Sequence, residues 1–300
     1  MITIEKSVII RQFQYLTALA QEKHFGRAAK RCGVTQPTLS SAIQNLEDEL
    51  GVPIVMRGQR YFGLTAEGKR VLEWAQKTLA NQDTLIQELS EMKGNLFGQL
   101  RIGVIPTALS VVSRLTLPFC QQHPKVSVTA RALSSSEIQQ GLDNYDIDLG
   151  ITYLDNEAML RIRSVPLYNE RYCLIHLIKQ KLRKKETEIS WREAALFPLC
   201  LLSRDMQNRR IIDSAFAAAG VAPKPQIETN DLTDIGLHVK TRKWASIVPE
   251  QALKMLSLPH ETSILNLNNP TISHSIGVVW SVKDPTSPTA KAMLRIVKTV

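Results

Sequence analysis

Phosphate-binding glycine loops, nucleophile elbows and close groupings of metal ligands are all missing from these 300 residues. Without them the chain lacks the usual marks of nucleotide binding, acyl transfer and metal catalysis. It is not expected to be an enzyme or to need a cofactor. The nearest carboxylate pair, Asp146 and Asp148, reads as a loop residue and a strand-edge residue. The six histidines are scattered, so no metal site is expected. Cysteine is sparse: Cys32, Cys120, Cys173 and Cys200 show no metal-type spacing and no local pairing. Free buried thiols are the simplest reading, and a redox-sensing pair would require the fold to bring two together. No apolar run reaches the roughly 20 residues that cross a bilayer. The opening MITIEKSVIIRQFQYL has no basic start, uninterrupted apolar stretch or small-residue cleavage site. A cytoplasmic protein with no membrane partner is expected.

The composition itself is that of an ordinary globular protein, 44% hydrophobic and 22% charged, able to bury a core. The length suggests about two domains. The net charge is +9, and residues 1–70 hold ten Lys/Arg against six Asp/Glu. The basic excess is therefore denser in that first part, as a DNA-contacting module needs. The strongest basic run, Lys179 to Lys185, reads as a solvated loop.

The segment His24 to Leu50 carries the most information. A short helix from His24 or Phe25 bears Ala28 and Ala29, small enough for a second helix to approach closely. Gly33 supplies a left-handed turn. Thr35 can cap the next helix, and Pro37 fits its first turn. Leu39, Ile43, Leu46 and Leu50 recur at helical spacing and form an inner face. Thr35, Gln36, Thr38, Ser40, Ser41 and Gln44 then face outward, short polar groups suited to base edges and phosphates. The plain alternative is a helical hairpin with a polar face. The next segment favours DNA: residues 53–65 read as a small hairpin with Gly58 at its tip, flanked by Arg57 and Arg60. A basic wing of this kind grips phosphates.

Residues 9–65 resemble the winged helix-turn-helix of LysR-type transcriptional regulators. The residues that carry the likeness are Arg11-Gln12-Phe13, Phe25 with Arg27-Ala28-Ala29, Val34-Thr35-Gln36-Pro37-Thr38-Leu39-Ser40, Ile43 with Leu46-Glu47, Leu50-Gly51-Val52, and Leu64-Thr65-Ala66-Glu67-Gly68. The resemblance implies DNA contacts from Arg27, Thr35, Gln36, Pro37, Thr38, Ser40, Ser41, Gln44, Arg57 and Arg60. Family members often carry arginine or glutamine just after the Leu-Ser of the recognition helix, where this chain has Ser41-Ala42. Gln36 and Gln44 are then the candidates for bidentate base contacts, most naturally to adenine.

Residues 66–93 read as one long linker helix. Leu72, Leu79 and Ile86 recur every seven residues, with Ala75, Gln82 and Leu89 three later in each heptad. Such a narrow stripe asks for a partner helix, most simply from a second copy, and dimerisation through Leu72, Leu79, Ile86 and Leu89 is expected. Residues 94–98 form a glycine-marked hinge. From 99 to 300 strands alternate with helices, an α/β pattern with a parallel sheet. Strands are expected at 99–105, 126–130, 147–151, 171–175, 199–202, 227–230, 246–249 and 275–280. Helices are expected at 107–122, 136–142, 207–219 and 290–299.

This order resembles the family's effector domain, two α/β lobes similar to periplasmic binding proteins. The resemblance implies a ligand cleft between the lobes lined by Pro106, Thr107, Ser134, Ser135, Ser203, Arg204, Asn230 and Trp244. Hydroxyls at helix starts favour a carboxylate or other small anion. One departure stands before Ile247-Val248-Pro249: most members carry two spaced glycines there, and this chain has Thr241-Arg242-Lys243-Trp244-Ala245-Ser246.

The expected function is a sequence-specific transcriptional regulator that binds double-stranded promoter DNA as a homodimer or homotetramer. A small effector would control its arrangement, and RNA polymerase would be a partner if it activates. A redox-sensing regulator of the same family without a small-molecule ligand, or a solute-binding protein, are the alternatives.

Overall fold

A computed structural model describes residues 9–56, 62–155, 157–178, 187–282 and 286–299. The chain divides into two compact units, residues 1–92 and 93–300. The first unit is helical. Helix α1 (Ile9–Glu22) buries Tyr15, Leu16, Ala18 and Leu19. Helices α2 (Phe25–Arg31) and α3 (Gln36–Leu50) form a tight pair, and α4 (Ala66–Met92) follows. Ala28, Ala29, Leu39, Ile43, Leu46, Ile54 and Ala75 join the α1 residues in one core. Leu50 does not belong to the inner face: it is 42% exposed. It is the last residue of α3, followed by Gly51 in the left-handed conformation, φ 68°. The helix therefore ends before its inner stripe can reach the core again.

The second unit holds two lobes. Its elements are β1 (Gly98–Val104), α5 (Leu109–Gln122), β2 (Val126–Ala132), α6 (Ser135–Asp143), β3 (Leu149–Tyr153), β4 (Ile162–Glu170), β5 (Tyr172–His176), β6 (Glu188–Ser190), α7 (Trp191–Ala194), β7 (Cys200–Leu202), α8 (Gln207–Ala218), β8 (Ile227–Thr229), α9 (Leu232–Lys240), β9 (Ala245–Pro249), β10 (Ser263–Asn268), β11 (His274–Ser281) and α10 (Pro288–Val297). The first lobe is a sheet ordered β2-β1-β3-β11-β4, the second a sheet ordered β6-β10-β5-β9 with the pair β7-β8 beside it. Leu199 bridges to Ala245 and joins that pair to β9.

The sheets are mixed rather than parallel throughout. Strands β1, β2 and β3 run parallel, but β11 pairs antiparallel with both β3 and β4. Strand β5 is antiparallel to β9 and β10. The chain crosses between lobes at Arg171 and returns after β10. The returning strand enters the first sheet from the opposite end.

Candidate functional site

The exposed face of the α2–α3 pair is built by short-range capping. His24 caps α2 by accepting the Arg27 backbone N–H, and Thr35 caps α3 by accepting that of Thr38 at 3.4 Å. Gly33 holds φ 68° in the turn between them, a conformation that costs little only for glycine. Thr35, Gln36, Pro37, Thr38, Ser40, Ser41 and Gln44 are all exposed along the first turns of α3. The Gln36 carboxamide oxygen reaches back over Gly26, where an added Cβ would sit 3.3 Å from it. Arg27 is exposed and donates to the Glu22 carbonyl at 2.6 Å. Its ion pair with the Glu22 carboxylate is solvent-exposed and costs little to exchange for a phosphate.

The base of the wing is an antiparallel bridge between Val55 and Leu64. Met56 donates to the Gly63 carbonyl and Thr65 to that of Ile54, each at 3.0 Å. Arg57 and Arg60 lie outside the described residues.

Along α4 the heptad residues divide. Ala75 is buried and Leu72 packs on the helix-turn-helix core. Leu79 is half-buried, whereas Leu85, Ile86, Leu89 and Met92 are exposed. The first half of the stripe is used within its own unit, and the second half presents apolar surface to solvent.

In the second unit, a narrow cavity of about 10 Å³ lies between the lobes. Ile105, Pro106, Thr107, Ser134, Ser135 and Tyr153 line it from the first lobe, and Leu202, Met206, Gln207 and Asn208 from the second. The expected residues Pro106, Thr107, Ser134 and Ser135 thus come together. Ser203, Arg204, Asn230 and Trp244 are not among the lining residues. Arg204 is 75% exposed and pairs weakly with Glu228. Asn230 is exposed. Trp244 packs on the apolar cluster around Cys173, Ile235 and Val248. Arg242 takes the left-handed conformation, φ 63°, where glycine would be cheap. The backbone there has a glycine-like turn without the glycine.

Sequence reasoning missed Tyr153, Gln207 and Asn208. Thr107 Oγ1, Gln207 Nε2 and Asn208 Oδ1 are buried with no hydrogen-bond partner. Unpaired buried polar atoms cost roughly 1–3 kcal/mol each, and these three face one cavity, where a small polar occupant or a water would satisfy them. Helix α8 starts at this wall with no side-chain cap on its first turn.

Behind Tyr153 lies a buried carboxyl group. Glu170 Oε1 accepts the hydroxyls of Tyr153 at 2.7 Å and Tyr172 at 3.0 Å. Asn208 Nδ2 donates to the Tyr153 oxygen at 3.1 Å. Burial pushes the Glu170 carboxyl up to about 7, against the two phenol hydrogen bonds, which favour its ionised form. Glu170 ends β4 and Tyr172 begins β5, so the group sits at the crossover between lobes.

Two family models match the chain. Residues 10–69 match the bacterial regulatory helix-turn-helix of the LysR family, and residues 93–300 match the LysR substrate-binding domain. This chain belongs to the LysR family. Like its members it is a DNA-binding transcriptional regulator and not an enzyme. It is similar to the hydrogen peroxide-inducible genes activator of Haemophilus influenzae, 26% identical over 284 residues that span 92% of this chain and 91% of that one. The regulator AlsR of Bacillus subtilis is 34% identical over 254 residues, 83% of each chain. Among solved structures, a full-length OxyR variant from Pseudomonas aeruginosa superposes with a TM-score of 0.73 over 97% of both chains at 23% identity. That likeness is one of fold.

Two of the four cysteines of this LysR-family protein, Cys173 and Cys200, are poorly placed for redox chemistry. Cys173 and Cys200 are buried as expected, whereas Cys32 is half-buried and Cys120 is exposed on α5. Burial pushes the Cys173 thiol up to about 12 and the Cys200 thiol up to about 11, with Glu250 and Asp234 adding to the respective shifts. Burial also raises Cys32, partly offset by Arg31. Thiolate is the reactive form, and it is scarce at neutral pH in such sites. Cys173 and Cys200 lie on strands with β9 between them. Two strand spacings of about 4.8 Å exceed the ~7 Å limit for a disulfide without backbone movement.

Proposed function

We propose that this regulator reads a promoter element through the exposed face of α3, assembles as a homo-oligomer through the second half of α4, and responds to a small polar effector in the cavity between the two lobes. Gln36 and Gln44 read bases, while Arg27, Thr35, Pro37, Thr38, Ser40 and Ser41 position the helix on the duplex, with Arg57 and Arg60 on the wing. The observation that carries the effector reading is the convergence of three unpartnered buried groups, Thr107 Oγ1, Gln207 Nε2 and Asn208 Oδ1, on one inter-lobe cavity. As it stands the cavity has room for about one water molecule, so an effector enters it by parting the lobes. An effector that prefers one arrangement of the lobes would shift the oligomer's population toward it.

Thermal-shift titration of the full-length protein against a panel of small metabolites tests this. A saturable rise in melting temperature, abolished by Thr107→Val, supports it. A flat response across the panel would sink it.

A redox reading has one observation in its favour: relatives such as the Haemophilus influenzae activator are named for hydrogen peroxide. The burial of Cys173 and Cys200 opposes it. Mild peroxide treatment followed by promoter-binding assays separates the two. Unchanged binding favours the effector reading, and loss restored by a reductant favours the redox one.

A further inference from the structure

The inter-lobe cavity carries a definite hydrogen-bond polarity, and the group that sets it is not in the cavity wall. Glu170 Oε1 receives two phenol protons, from Tyr153 and from Tyr172. Having donated its only proton to Glu170, the Tyr153 oxygen can act toward Asn208 only as an acceptor. Asn208 must then turn Nδ2 to it, as the 3.1 Å contact has it. That orientation follows from the network and not from an arbitrary choice between the amide's two ends. Oδ1, which has no protein partner, is left as the group Asn208 offers to an occupant. The opposite polarity comes from Gln207 Nε2, a donor, and from the Thr107 hydroxyl, which can do either.

Charge points the same way. Among the described residues, no lysine, arginine or histidine lines the cavity. The start of α6 at Ser134 already has an acidic partner: Glu137 Oε2 accepts the Ser134 backbone N–H at 2.7 Å and its hydroxyl at 2.8 Å. The other ionisable groups facing Glu170 are Tyr172, Tyr168 and His274. The His274 ring lies edge-on to both Tyr153 and Tyr172 and is paired with Asp155 at 3.1 Å. None of these is a free cation aimed at the cavity. An ionised carboxylate there would meet Asn208 Oδ1 acceptor to acceptor, with the Glu137 carboxylate close by and only the uncapped start of α8 in its favour.

Resting on the effector reading of this cavity, we infer that Glu170 is a specificity-determining positioning residue: acting through Tyr153, it locks the Asn208 amide so that the cavity selects a small uncharged ligand carrying both a donor and an acceptor, such as a primary amide, over an ionised carboxylate. This reverses the anionic effector that helix starts alone suggest. A primary amide carries the matching groups, an acceptor for Gln207 Nε2 and the Thr107 hydroxyl and a donor for Asn208 Oδ1.

The test uses the full-length protein and two matched probes, butyramide and butyrate, with binding followed by ligand-observed NMR at pH 7.5. Wild type should favour butyramide about tenfold or more, the ratio expected when one buried acceptor no longer faces another. Tyr153→Phe removes the oxygen that fixes the amide, and Glu170→Leu removes the group that fixes Tyr153. In both, the ratio should fall toward unity. Glu170→Gln, which keeps an acceptor at Oε1, should restore it. A merely structural role for Glu170 would weaken both probes together and leave the ratio unchanged, overturning the inference. Preference for butyrate in wild type would overturn it while leaving the cavity reading intact, and binding of neither probe would count against both.

Discussion

Glu47 Oε1, on the inner side of the recognition helix, accepts the backbone N–H groups of Ile54 at 2.6 Å and Val55 at 2.9 Å. One carboxylate oxygen thus fastens α3 to the first strand of the wing. Hydrogen bonds to a charged acceptor are about twice as strong as neutral ones. Glu47→Ala should destabilise the N-terminal unit by about 2–3 kcal/mol, measured by urea unfolding. DNA affinity should fall without a change in base preference, because no base-reading group is touched. A shifted preference would show that Glu47 does more than fasten the wing.

Gly68 tests the same junction from the other side. A Cβ there would lie 2.0 Å from the Ile54 carbonyl oxygen, a backbone atom that cannot step aside. In an open helix, glycine to alanine stabilises by about 1 kcal/mol. Gly68→Ala should reverse that sign and cost about 3 kcal/mol or more. Thermal unfolding decides it, and a stabilised variant would mean that α4 can move off the wing.

Gln36 and Gln44 project from α3 as amides, groups that can donate and accept to one base edge. Gln36→Ala should relax preference at one base position by roughly 1–3 kcal/mol, while binding to random DNA changes little. Selection of binding sites from a random pool measures this directly. Equal loss on specific and random DNA would make Gln36 a positioning contact instead.

How much of this is legible in the sequence depends on whether the signal is local. Thr35, Gly33 and the α3 stripe are local devices, and each sits where its chemistry requires. Leu50 misleads because periodicity does not reveal that Gly51 ends the helix before the stripe returns. Strand β4 escapes a pattern reading because Pro166 interrupts it. Proline is tolerated there because β4 is the edge of its sheet. The antiparallel entry of β11 is set by a chain crossing between lobes, which no window of sequence records. In the cavity, Thr107 and Ser134 are visible as hydroxyls at helix starts. Tyr153, Asn208 and Glu170 are not, because their relation depends on contacts between residues 17 to 55 positions apart.

The exposed second half of α4 makes its own prediction. Leu85, Ile86, Leu89 and Met92 leave apolar surface in water, which a partner helix would cover. Ile86→Asp combined with Leu89→Asp should shift the protein toward monomer in analytical ultracentrifugation and weaken binding to a two-half-site promoter more than to a single half-site. Leu72→Asp should instead unfold the N-terminal unit, because Leu72 packs on its core. An unchanged oligomer in the double variant would place the interface elsewhere.

The buried carboxyl of Glu170 also makes stability depend on pH in a stated direction. Its folded value, about 7, lies above the ordinary 4.5 because burial disfavours the charge. The native state therefore holds a proton that the unfolded chain has already released. The contribution is fully present below about pH 4.5 and is lost as pH rises through about 7. Between about pH 5 and about pH 8 the loss is on the order of 3 kcal/mol. Glu193 and Glu261 have lowered values and act with the opposite sign at more acid pH. The difference between wild type and Glu170→Gln isolates the Glu170 share. Urea midpoints across that range should fall for wild type and stay nearly level for the variant. Parallel curves would mean that Glu170 is ionised throughout, sustained by its two tyrosines, and the proton would have no part in how the lobes are held.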